Sequence, residues 1–174
     1  MRWPRSAQRA GSRSREPPAG PYVRGAKISC STRAAAQLGE RVTDLHGLLD
    51  EVAQGSRTTA IIRAWTGKEF KDVVAGSGER GLDRVIKSAL QGSEHLAQNI
   101  KDLDAEANAL AEIARMRWKP YAGASSRPVC PWCQNELFDS GAKLVGPFAG
   151  MTILNKFRRT PFGERLTGQW QFIW

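Results

Sequence analysis

Two cysteines three residues apart, in Cys130-Pro131-Trp132-Cys133, are the most chemically pointed feature of the sequence. Pro131 suits the first position of a helix, where its missing N–H would have no partner. Cys130 then caps that helix and Cys133 lies in its first turn. The positive end of the helix dipole favours thiolates, and thiolates suit zinc or redox chemistry. Asp104-Ala105-Glu106 is the second feature. Asp at a helix cap with Glu in the first turn is also an ordinary helix start. Side chains at a helix N-terminus tilt back past its end, so Asp104 and Glu106 can both reach a site there.

The elements that must position these residues are legible from periodicity. Leu38, Val42, Leu45, Leu49 and Val52 predict one helix from about Thr32, closed by Gly55. His46 on that helix reads as a surface or internally satisfied residue. Thr58–Trp65 and Phe70–Ala75 predict a β-hairpin turning at Thr66-Gly67-Lys68. Gly76-Ser77-Gly78 lacks the Lys-Ser/Thr of a phosphate loop and reads as a turn. A helix is expected over about 82–91, burying Leu82, Val85, Ile86, Ala89 and Leu90. Another is expected over about 104–117, with Ala107, Leu110, Ala111 and Ala114 against a sheet, stopped by Pro120. Residues 121–129 are strand-like. The Cys-x-x-Cys helix runs to Gly141, and Lys143–Val145 is a further strand. This order favours an α/β layered domain with helices on both faces of one sheet.

In such a sheet, helix N-termini gather at the carboxyl ends of the strands, where ligands bind. Two thiolates, one carboxylate ligand and one free carboxylate would meet there. Three protein ligands with a fourth position open is the arrangement of catalytic zinc. With these motifs the chain resembles the zinc-dependent cytidine-deaminase superfamily, whose pattern is His-x-Glu followed by Cys-x-x-Cys on the next helix. It is most similar to the deaminase domains of bacterial polymorphic toxins. The likeness runs through Arg57-Thr-Thr-Ala-Ile-Ile, Val74-Ala-Gly-Ser-Gly and Gly81-Leu-Asp. It continues in Asp104-Ala-Glu-Ala-Asn-Ala-Leu, Ser126-Arg-Pro-Val-Cys-Pro-Trp-Cys and Ser140-Gly-Ala-Lys-Leu, spanning about residues 34–150.

The resemblance implies a three-layer α/β/α sandwich whose mixed sheet opens with the hairpin. It makes Cys130 and Cys133 zinc ligands and Glu106 the general acid/base. Asp104 stands where the family usually has His, and a carboxylate also binds zinc. His95 is an alternative source of an imidazole. The implied reaction is hydrolytic deamination of a nucleobase, cytosine ahead of adenine. Glu106 takes a proton from the attacking water and returns protons to the leaving ammonia. Trp132 either flanks the base or packs. The substrate is single-stranded nucleic acid or a free nucleotide, and a toxin domain would bring an immunity protein as partner.

Net charge is +9, and residues 1–27 supply two thirds of it, with seven basic residues and one acid. Residues 1–31 are expected to be a disordered basic segment, read as a phosphate-touching arm or a solvated leader. Residues 32–174 form the expected domain. In 151–174, Arg158 and Arg159 lie among five aromatics. These residues either bind nucleic acid or complete the core. No apolar run is long enough to span a membrane, and the N-terminus lacks a secretory h-region. The expected location is cytoplasmic, or a target cell's cytoplasm after delivery. Three cysteines exclude a disulfide framework. Two other readings stand beside the enzyme. One is a non-catalytic zinc- or nucleic-acid-binding module on the same fold. The other is a glutaredoxin-like dithiol protein, which the mere 41 residues after Cys133 disfavour.

Overall fold

The computed structural model describes residues 29–146 and 170–174. The sheet is built on the hairpin of β1 (Thr59–Trp65) and β2 (Phe70–Gly76), with Thr59 opposite Gly76 and Trp65 opposite Phe70. Gly67, at φ +97°, makes the turn that a side chain would strain. β4 (Lys119–Ser125) pairs antiparallel with β1, and its register shifts between Arg63 and Ala64. That irregularity accommodates Pro120, which cannot donate to a regular ladder. β6 (Trp170–Ile173) joins β4, and β5 (Lys143–Gly146) joins β6, both antiparallel. β3 (Glu94–Leu96) adds to β2 in parallel. The six-stranded mixed sheet has the order β3-β2-β1-β4-β6-β5.

Alternation along β1 sends Ile61 to one face and Ile62 to the other, and each face carries helices. α1 (Cys30–His46) and α3 (Arg84–Ser88) bury Leu38, Val42, Leu45 and Ile86 against Ile61, Val74, Ala122 and Ala124. α4 (Ala105–Arg115) and α5 (Pro131–Asp139) bury Ala109, Ile113, Cys133 and Leu137 against Ile62, Val73, Trp170 and Phe172. Each fully buried aliphatic side chain contributes about 1.5–3 kcal/mol. The α/β fold with helices on both faces of one sheet is therefore as the sequence implies.

Several expectations change in detail. The first helix starts at Cys30, capped by the Ser29 hydroxyl, so residues 30 and 31 belong to the domain and not to the N-terminal segment. It ends at His46. Asp50 accepts the Ala53 N–H at 2.9 Å and caps a separate α2 (Glu51–Ser56). Leu49 stays buried, but Val52 faces solvent. α3 is shorter than predicted because Asp83 caps it, accepting the Val85 N–H, and Val85 is exposed. On α4 the buried face is wider than the predicted one. Ala107 is buried and Leu110 packs against the core as expected, but Ala114 is exposed, and Ala105, Ala109 and Ile113 go inward with Glu106, Asn108 and Glu112. Those three polar residues tolerate burial because each has hydrogen-bond partners. His46 is satisfied internally, between the Thr59 hydroxyl and the Gln54 carbonyl, both at 3.1 Å.

Candidate metal centre

The chain reaches α4 through a loop pinned by Asn108, a buried residue one helical turn beyond Asp104. Its Oδ1 accepts the Ile100 N–H at 2.8 Å, and its Nδ2 donates to the Leu103 carbonyl at 3.2 Å and to Asn99 Oδ1 at 3.3 Å. Asp104 then takes extended backbone angles at the N-cap, but its side chain caps nothing. Its Oδ2 accepts instead from the Cys133 thiol at 3.1 Å and the Cys130 thiol at 3.3 Å. The ordinary helix-start reading of Asp104 therefore does not describe what its carboxylate does.

Cys130 caps α5, its Sγ accepting the Cys133 N–H at 3.3 Å, with Pro131 at the first helical position as the sequence implies. One Asp104 oxygen and the two sulfurs lie within 4.8 Å of one another. A tetrahedral zinc with ordinary Zn–S and Zn–O bonds holds its ligand atoms about 3.4–3.8 Å apart. The three donors are thus near the spacing a metal needs, and among the described residues no other cluster of this kind occurs. His95 does not join it. It sits on β3 with Nε2 at 2.6 Å from Glu112 Oε1, two turns along α4 from Asp104.

Glu106 lies beside the cluster but outside the donor set. The residue is 3 % exposed, and its Oε1 accepts the Ser125 hydroxyl at 2.5 Å. Burial pushes its pKa up, with the Ser125 hydrogen bond working against that rise. Burial also raises the Cys133 thiol, and the charge of Glu106 adds to the effect. The α5 dipole alone favours a thiolate, but these two causes overrule it. A cation at the three donors would reverse the balance, since metals bind thiolate rather than thiol.

Trp132 is 70 % exposed, so it does not pack into the core. Its Nε1 donates to Glu136 Oε1 at 3.1 Å on the same helix. Arg127, at the carboxyl end of β4, donates to the Arg57 carbonyl at 3.3 Å. Arg158 and Arg159 lie outside the described residues, whereas Trp170 and Phe172 belong to the core. Sequence reasoning passed over Asn108 and Ser125. The signal for Asn108 was present, as a polar residue four positions after Asp104 on a helix. For Ser125 there was none, since its partner is 19 residues distant.

No protein-family model, curated protein or solved structure matches the chain. The chemistry of the site therefore rests on its own residues. No helix among the described residues is long and apolar enough to cross a membrane.

Proposed function

We propose that the chain is a zinc-dependent deaminase of a nucleobase, cytosine ahead of adenine, with the α/β/α architecture of the cytidine-deaminase-like superfamily. One observation carries the reading. Asp104, Cys130 and Cys133 converge beside a buried carboxyl, Glu106, that is not one of the three donors. Two thiolates and a carboxylate fit zinc and leave a fourth position open. Bound there, zinc would supply a Lewis acid that makes water a nucleophile near neutral pH.

The chain's own groups do the rest. Glu106, held by the Ser125 hydroxyl, is buried, and burial raises its pKa, the direction that suits a group which both takes and returns protons. It takes the proton of the attacking water and passes protons to the departing ammonia. The N-termini of α4 and α5 both point at the cluster and oppose its negative charge. That matters because zinc with one carboxylate and two thiolates carries a net charge of −1 (two positive, three negative). The base comes from single-stranded nucleic acid or a free nucleotide. A role as a delivered toxin domain, with an immunity protein as partner, follows from the family resemblance alone.

The dithiol redox reading is weaker. Both thiols face one carboxylate oxygen of Asp104, a third donor that suits a metal and that a dithiol–disulfide pair does not need. The test is incubation of zinc-loaded protein with cytidine, adenosine, their monophosphates, and single-stranded DNA and RNA, reading ammonia and uracil or hypoxanthine. Release from one class, stopped by chelation and restored by zinc, is the expected result. Zinc-loaded protein that releases ammonia from none of them overturns the enzyme reading.

A further inference from the structure

The hairpin end of the sheet carries a second surface, remote from the metal centre. Antiparallel partners share a face, so Phe70, Trp65 and Lys119 form one row across β2, β1 and β4. Phe70 sits 5.0 Å from Trp65 in a T-shaped pair and 5.0 Å from Tyr121 in a tilted one. On this face α1 and α3 cover Ile61 and Val74. The next row, Arg63 and Asp72, closes on itself through two hydrogen bonds of 2.7 and 2.8 Å. Beyond that the aromatic row is open, with Trp65 38 % and Phe70 46 % exposed. Lys68 in the hairpin turn, Arg117 and Lys119 are also exposed around it. Lys71 is paired with Glu69 at 3.2 Å.

Exposed aromatics clustered in this way mark an interaction site. The charge decides the partner. Lysine is depleted at protein–protein interfaces, and this row is bordered by lysines and an arginine with one acid among them. Cations tracking phosphates around rings on which bases stack is how single-stranded nucleic acid is held without sequence preference. We propose that Trp65, Phe70 and Tyr121, with Lys68 and Lys119, form a stacking platform for single-stranded nucleic acid. β1 begins at Thr59, beside the Ser125 end of β4, and ends at Trp65, so the platform lies about 20 Å from the metal-centre end of the sheet. It anchors a strand and takes no part in the chemistry. It also stands independently of the deaminase reading, because binding is measured without turnover.

The test is fluorescence anisotropy of the full chain with short labelled single-stranded DNA and RNA over a salt series. Trp65→Ala with Phe70→Ala should weaken binding by about fivefold to a hundredfold, the range for a lost base stack. Trp65→Tyr, which keeps a stacking face, should retain affinity. Lys119→Gln should flatten the log–log salt dependence by about 0.7, the value for one phosphate contact on a single strand. Circular dichroism melts monitor folding, and Lys68→Glu, in an exposed turn, serves as a substitution that leaves packing alone. Unchanged affinity in the aromatic double variant and in Lys68→Glu would overturn the proposal. So would self-association that Phe70→Ala abolishes, because the face would then belong to a second copy of the chain.

Discussion

Glu112 offers a prediction whose sign and size both follow from the structure. The residue is buried on α4 and accepts from Arg115 at 2.5 and 3.0 Å, from His95 at 2.6 Å and from the Gln98 N–H at 3.4 Å. The Arg115 hydrogen bond, and then that from His95, outweigh burial and hold its pKa at about 2, against an ordinary 4.5. A carboxyl with a lowered folded pKa stabilises the fold above its unfolded pKa and loses that contribution as pH falls through the folded value. The window is therefore about 4.5 down to 2. At about 1.4 kcal/mol per pKa unit the full shift would amount to about 3 kcal/mol. The Arg115 side chain is 56 % exposed, so solvent screens its share, and about 1–2 kcal/mol is the better figure. Glu112→Gln keeps the shape and one acceptor but loses the charge. At about 2–4 °C per kcal/mol, it should melt about 2–8 °C below wild type at pH 7. The two proteins should converge as pH approaches 2. Thermal melts from pH 7 downward check this. A gap that stays constant with pH would refute the electrostatic argument and leave only lost packing.

Two further substitutions probe the centre. Glu106→Gln should cut deamination by about 10²–10⁴-fold, the range for a general acid/base, while zinc content stays at the wild-type level. Turnover at the wild-type rate would remove Glu106 from the mechanism. Asn108→Ala should cost about 1–3 kcal/mol in stability through its unsatisfied partners and weaken zinc binding about 10–100-fold by freeing the loop before Asp104. A fall in melting temperature with unchanged zinc affinity, measured by chelator competition, would make Asn108 structural only.

The hairpin, the Cys130 cap and the α4 start were legible because each is a local pattern: alternation, a proline at the first helical position, and Asp before a helical run. What was not legible depended on partners distant in sequence. Val52 fits the α1 stripe, yet Asp50 competes for backbone N–H groups and starts a new helix. The polar part of the inward face of α4 cannot be read from apolarity, since Glu112 is buried only because Arg115 and His95 meet it. β3, three residues long, carries no periodicity to detect. Trp170 and Phe172 read as core residues ahead of ligand-stacking ones, and the pairing of β6 with β4 turns both into the interior. At the centre, Asp104, Cys130 and Cys133 were named from two helix-start motifs and the family resemblance, but their convergence is a product of the sheet.

The most direct test of the account is the zinc content of protein purified without chelator, measured by elemental analysis on wild type, Asp104→Ala and Cys133→Ser. Three donors gathered within 4.8 Å at two helix N-termini predict about one zinc per wild-type chain and a large loss in both variants. Wild-type protein with no zinc, or with zinc that both substitutions leave in place, would contradict it.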